Sequence, residues 1–176
     1  CCEFGEEVGP LFDSPFLVMT YYNILVKYGV ERFAERMAAA GMVGASVPDL
    51  PPIEAEVYLS AMKENGLAPI FIYSPNTSDK RMRLIDESSE GFIYCVARKG
   101  VTGADTNFSE DLTAYLARCR AATDLPLALG FGVKDAADVA LLTGKADIAV
   151  IGTQTIRVME GKGVEAVKGF ISGLRG

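Results

Sequence analysis

The chain contains no histidine among its 176 residues. That absence removes Ser-His and Cys-His nucleophilic machinery and every His-ligated metal centre. Acid–base chemistry is left to Asp, Glu, Tyr, Lys or Cys. No Cys-x-x-Cys pair is present either. The four cysteines are Cys1, Cys2, Cys95 and Cys119. Cys95 falls in an apolar strand-like run and Cys119 in a helix-like run, so both are expected as packed thiols in a reducing, cytoplasmic setting. No apolar run approaches the roughly 18 residues of a membrane span, and no signal peptide is read ahead of the first element. A basic stripe is also missing: 17 Lys and Arg face 23 Asp and Glu, for a net charge of −6. This excludes a nucleic-acid partner, whose phosphate backbone needs clustered cations. It does not exclude one phosphate held by backbone N–H groups at a helix start. There is no linker, low-complexity stretch or charge run, so residues 1–176 are expected to form a single domain.

What is present is a regular alternation of short apolar runs and longer amphipathic ones. Strands are expected over residues 16–20, 45–47, 70–73, 92–97, 127–130 and 148–151. Helices are expected over 30–40, from Pro51 or Pro52 to Asn65, and over 78–87, 110–122, 135–142 and 164–174. The first of these carries Val30, Phe33, Ala34, Met37 and Ala38 at helical spacing and is closed by Gly41. Gly66 stops the second, and Thr77 or Ser78 is the N-cap expected for the third. Six β-then-α units imply a parallel sheet covered by helices, with strands apolar on both faces. An open doubly wound sheet and a barrel both fit this pattern. No Gly-x-Gly-x-x-Gly follows the first strand, which weakens the dinucleotide-binding version of the open sheet. The length suits one domain with a real core. It is short for a complete eight-unit barrel, which takes about 250 residues and seldom fewer than roughly 200.

In either architecture ligands bind at the carboxyl ends of the strands. Gly130, Phe131 and Gly132 follow the fifth strand, and Gly152 and Thr153 the sixth. These glycines either serve tight turns or let a phosphate approach the backbone, with Thr153 adding a hydroxyl. Thr102 and Gly103 lie in the longest polar loop, which is either a lid that excludes water or a solvated connection. Asp49 is the only carboxylate placed directly after a strand. It is a general base, a ligand-binding group or the cap of the helix that opens at Pro51 or Pro52. Tyr21, Tyr22 and Tyr94 either line an aromatic pocket or belong to the core.

Six motifs in order give these residues a common context. They are PFLVMTYYN (15–23), SVPDLP (46–51), APIFI (68–72), GFIYCVARKGVTG (91–103), DLPLALGFGV (124–133) and ADIAVIGT (146–153). In this string, from about Pro15 onward, the chain resembles the tryptophan synthase alpha chain family. The resemblance implies an incomplete (β/α)8 TIM barrel whose six βα units correspond to strands three to eight. It implies retro-aldol cleavage of indole-3-glycerol phosphate to indole and glyceraldehyde 3-phosphate. It also implies a beta-chain partner, in an α2β2-type heterotetramer, that carries pyridoxal phosphate, while the alpha chain needs no cofactor. By the same resemblance, Tyr21 and Tyr94 lie beside the substrate, and Thr102 and Gly103 close over it. Gly103, Phe131, Gly132, Gly152 and Thr153 form the phosphate site. Asn23, Asp49 and Pro51 meet and signal to the beta chain.

The resemblance also has departures. Ile24 stands where the family usually has Pro, and Ala97 where it usually has Ser. Nothing matches the family's first two strands, which supply a Glu that protonates indole carbon 3 and an Asp that takes up the indole N–H proton. Glu3, Glu6, Glu7 and Asp13 lie in that half of the chain but in no matching motif, and residues 1–14 read as the tail of a second helix and its exit loop. Impaired catalysis and poor stability are therefore expected, since a six-strand arc leaves two unpaired edges. The alternatives are a non-catalytic module that docks on and tunes a beta chain, or another barrel enzyme that binds a sugar phosphate.

Overall fold

The computed structural model describes residues 2–96, 110–130 and 132–174. They group into two compact units: Cys1–Ile72 with Lys80–Ile93, and Tyr73–Asp79 with Tyr94–Gly176.

The first unit begins with helix α1 (Cys2–Val8) and a 3-10 turn (Gly9–Leu11), followed by strand β1 (Leu17–Met19). Helices α2 (Tyr22–Tyr28) and α3 (Val30–Ala39) come next. They meet at Gly29, whose φ of 99° is a conformation that only glycine adopts without strain. Helix α3 follows its sequence pattern: Val30, Phe33, Ala34 and Met37 form its buried stripe. Strand β2 (Gly44–Ser46) is buried throughout. A 3-10 turn (Pro52–Glu54) precedes helix α4 (Glu56–Glu64), and strand β3 (Ala68–Ile70) follows. β1, β2 and β3 form one parallel sheet with Met19, Ser46 and Ile70 in register. The Tyr58 hydroxyl on α4 donates to the Ala45 carbonyl of β2 at 2.9 Å and is fully buried there. This bond ties helix to strand, and burial raises the Tyr58 pKa.

The run expected as one third strand is split. After β3 the chain enters β4 (Ile72–Tyr73), which belongs to a second sheet in the order β4-β5-β6-β7. The remaining elements are α5 (Asp79–Glu87), β5 (Ile93–Val96), α6 (Glu110–Ala122), β6 (Leu127–Gly130), α7 (Ala136–Leu142), β7 (Ile148–Val150), α8 (Thr153–Lys162) and α9 (Val164–Leu174). β6 and β7 are parallel, with Gly130 opposite Val150.

Two arginines on α6 hold the second unit together. Arg118 donates to the Thr77 carbonyl and to Asp79 Oδ1, each at 2.8 Å, and so clasps the turn before α5. Arg120 pairs with Asp147, whose carboxylate also accepts from the Leu127 N–H at 2.7 Å. That backbone bond, with Arg120 beside it, holds the Asp147 carboxyl below its ordinary value.

Two further sequence expectations change. Pro51 and Pro52 open a 3-10 turn rather than a continuous helix, and α4 starts only at Glu56. Helices α2 and α8 had no counterpart in the sequence reading. Of the two N-cap candidates for α5, Ser78 stands directly before its first residue, while Thr77 accepts from the Ser74 N–H at 2.9 Å in the preceding turn.

Candidate functional site

In the first unit the candidate residues cluster at the carboxyl ends of β1 and β2. The Thr20 N–H donates to the Ser46 carbonyl at 3.1 Å, so the two strand ends leave the sheet together. One step further, Asp49 Oδ1 accepts from the Tyr22 N–H at 2.9 Å. Tyr22 is the first residue of α2, and its N-cap Tyr21 makes no side-chain capping bond. Asp49 therefore caps a helix that starts 27 residues before it. The local capping role is not observed: the turn after Asp49 is entered through Pro51 with no side-chain cap. A carboxylate at a helix N-terminus gains both from the N–H bond and from the helix dipole.

Asn23 and Asp49 are exposed and Pro51 is half-buried. Tyr21 is 60% exposed, which removes it from the core. Tyr22 is half-buried. Glu3 and Glu6 face Arg36 on α3, at 3.8 and 3.3 Å. Glu7 and Asp13 are exposed.

One residue that the sequence reading passed over is Ser46. Its hydroxyl is buried at the end of β2 and has no hydrogen-bond partner among the described residues. A serine closing an otherwise apolar strand was the available signal.

In the second unit Tyr94 and Gly130 come together. Tyr94 on β5 is half-buried, and burial raises its hydroxyl pKa. A Cβ built on Gly130 would lie 2.8 Å from Tyr94 Cζ, closer than packed atoms approach. A side chain at position 130 would therefore have to displace the ring beside it. Gly132 is exposed, with φ of 63° and open space where a side chain would stand. Gly152 is the N-cap of α8, exposed and again facing open space, and Thr153 is the first residue of that helix. With no side chain on Gly152 to cap them, the first N–H groups of α8 have no intrahelical acceptor. Thr102, Gly103 and Phe131 lie outside the described residues.

No group of three or more Cys, Asp or Glu among the described residues is arranged to hold a metal ion. No described helix is long and apolar enough to cross a membrane.

A profile of the tryptophan synthase alpha chain family matches residues 1–171. The chain belongs to that family. The match includes residues 1–14, so kinship extends further toward the N-terminus than the motifs that start at Pro15, and α1 places a helix within that stretch. The chain is 63% identical over 175 residues to the tryptophan synthase alpha chain of Syntrophotalea carbinolica, covering 99% of this chain and 69% of the relative. It is 58% identical over 174 residues to that of Desulforapulum autotrophicum, with the same coverage. Among solved structures it is similar to tryptophan synthase from M. tuberculosis in an aminoacrylate- and BRD0059-bound form, with TM-score 0.87 and 29% identity. That match covers 98% of this chain and 64% of the mycobacterial chain. The alpha-subunit of Pyrococcus furiosus gives the same score and identity, with 71% of its length covered. The fold is therefore the α/β barrel architecture of this family, present here in part. The chain spans about two thirds of the length of its relatives.

Proposed function

We propose that these residues are the substrate-phosphate and partner-facing portion of an indole-3-glycerol-phosphate lyase. The reaction is the retro-aldol cleavage to indole and glyceraldehyde 3-phosphate, carried out in the cytoplasm as a step of tryptophan biosynthesis. One observation carries this reading: α8 begins, uncapped, at the exposed pair Gly152–Thr153 directly after β7. Free N–H groups and the positive end of a helix dipole suit a phosphate dianion, and a glycine lets it reach them. Phosphate binding by the loops after the last two strands is a common feature of barrels.

In this proposal Gly103, Phe131, Gly132, Gly152 and Thr153 surround the phosphate. Tyr21 and Tyr94 flank the rest of the substrate, and Thr102 with Gly103 closes over it. A beta chain, in an α2β2-type assembly, meets Asn23, Asp49 and Pro51 and holds the pyridoxal phosphate, so no cofactor is assigned to this chain. Asp49 is given that role because its Oδ1 accepts from the Tyr22 N–H and so fixes the exposed start of α2, where Asn23 stands.

The cleavage needs one group that protonates indole carbon 3 and another that takes the indole N–H proton. No residue described here is assigned either task, and loss of each costs about 100- to 10,000-fold. The 176 residues alone are therefore expected to bind the phosphate end and release indole very slowly.

Indole release from indole-3-glycerol phosphate, by this chain alone and with a beta chain, tests the proposal. Co-elution with the beta chain without indole release fits a docking module lacking acid and base. Rapid release that Asp49→Asn abolishes would overturn the roles given to Asp49 and to the missing carboxylates. Binding of glyceraldehyde 3-phosphate, followed at the amide signals of Gly132, Gly152 and Thr153, tests the phosphate site directly. No movement of these signals at saturating ligand would sink it.

A further inference from the structure

A cleft of about 350 Å³ opens in the first unit beside the free edge of β1. That volume lies at the small end of the range for small-molecule sites. Buried Leu25 and Phe33 form its apolar floor, and half-buried Val18 and exposed Ile24 its walls. Three polar groups converge on it. The first is the Arg36 guanidinium. Its Nε donates to Glu6 at 3.3 Å and its Nη1 to the Tyr28 hydroxyl at 3.2 Å. Nη2 faces the Glu3 carboxylate at 3.8 Å, too far for a hydrogen bond, and has no other acceptor among the described residues. The N–H groups of Nη2 are therefore open to another acceptor. The second group is Glu3 itself, whose side chain is 85% exposed. The third is the main chain of Met19. The Thr20 N–H donates to the Ser46 carbonyl, and a parallel strand turns alternate residues to opposite sides. Met19 thus presents its N–H and C=O away from β2, on the edge that no other strand covers. The substrate and partner roles proposed above use none of the residues that line this cleft.

We propose that this cleft binds a free α-amino acid with a large apolar side chain. The ligand carboxylate takes the open N–H groups of Arg36. Its ammonium group takes the Glu3 carboxylate and the Met19 carbonyl. Its side chain covers Leu25 and Phe33 and is removed from water there. Charge complementarity selects this class of ligand. Arg36 attracts an anion, but Glu3 and Glu6 beside it repel one that carries no positive charge. A bare amine meets the reverse conflict at Arg36. A zwitterion meets both signs at once, with its two charges as close together as those of Arg36 and Glu3. The modest volume suits a single residue rather than a peptide. The lining comes from α1, β1, α2 and α3, so an occupant joins four elements and stabilises the folded chain by mass action.

The test titrates the full chain with L-phenylalanine and follows the amide signals of Met19, Thr20, Ile24 and Leu25 and the Arg36 Nε–H. Expected is saturable movement of these signals at about millimolar ligand, with those of Gly132, Gly152 and Thr153 unmoved. L-Tryptophan binds likewise and reports by its own emission, since the chain contains no tryptophan. 3-Phenylpropionate lacks the ammonium group and phenethylamine lacks the carboxylate, and each binds about ten-fold more weakly. Arg36→Met removes the donors and weakens L-phenylalanine about ten-fold, while Glu3→Gln, at an exposed position, weakens it about three-fold. Should Arg36→Met loosen α1, the two truncated ligands decide on the parent chain. No movement at about 20 mM L-phenylalanine overturns the proposal. So does equally tight binding of N-acetyl-L-phenylalanine amide, which carries neither charge and would mark a peptide-binding groove. Movement confined to signals outside the cleft overturns it as well.

Discussion

The two units organise their candidate residues by opposite means. In the first, a charged side chain reaches across 27 residues: Asp49 caps α2 and so fixes the exposed start of that helix, with Tyr21 and Asn23 on either side. In the second, side chains are withheld. Gly130 makes room for the Tyr94 ring, while Gly132 and Gly152 face open space at strand and helix ends. A surface that meets a protein needs its loops held in one place, which an ion–dipole bond does well. A surface that meets a phosphate needs bare N–H groups, which any side chain or cap would cover. The units share one feature. Each sheet ends on a parallel strand with exposed apolar residues, Leu17 and Met19 on β1 and Ile148 on β7. Such edges favour association with further chain.

The sharpest way to break this contrast is at Gly130. Gly130→Val drives a branched side chain into the Tyr94 ring and is expected to cost about 3 kcal/mol in urea unfolding. Adding Tyr94→Ala should return more than half of the loss. A single variant that unfolds at the parent midpoint would show that the ring does not impose the glycine.

In the first unit, Tyr58→Phe deletes the buried bond to the Ala45 carbonyl, at a cost of about 1 to 2 kcal/mol by the same measurement. An unchanged midpoint would mean that α4 is held to β2 by packing alone. Asp49→Ala is expected to cost about 1 kcal/mol and to speed hydrogen exchange at the Tyr22 amide, while glyceraldehyde 3-phosphate binding stays unchanged. If phosphate binding falls as well, the division of labour between the units does not hold.

The smallest effect concerns pH. The Asp147 pKa lies below its ordinary value of 3.8 in the folded chain. The stability it contributes is complete above that value and fades as pH falls through the lowered folded pKa. Asp147→Asn should flatten that part of the stability curve between pH 5 and 2, by only a few tenths of a kcal/mol at a half-exposed pair. Curves that stay parallel over this range would remove Asp147 from the account.

Much of the architecture was legible in the residues. The spacing of Val30, Phe33, Ala34 and Met37 placed α3, and the apolar runs placed β6 and the end of α9 to the residue. Both are patterns that burial imposes along the chain itself. Helix α2 escaped because its first turn, Tyr-Asn-Ile, has no local cap and its apolar residues are mostly exposed. Helix α8 escaped for a related reason: none of its residues is fully buried, so no stripe marks it. Yet α8 is the element that gives Gly152 and Thr153 a helix start to belong to.

The sequence by itself determined the family, the order of strands and helices, and the glycines at the strand ends. These depend on local pattern and on motifs that keep their spacing. Tertiary structure alone decided which groups meet. Asp49 meets the Tyr22 amide, and Tyr94 meets Gly130. Each partner lies far along the chain from the other. Their contact follows from parallel register and from the packing of helix on strand, which no local pattern encodes.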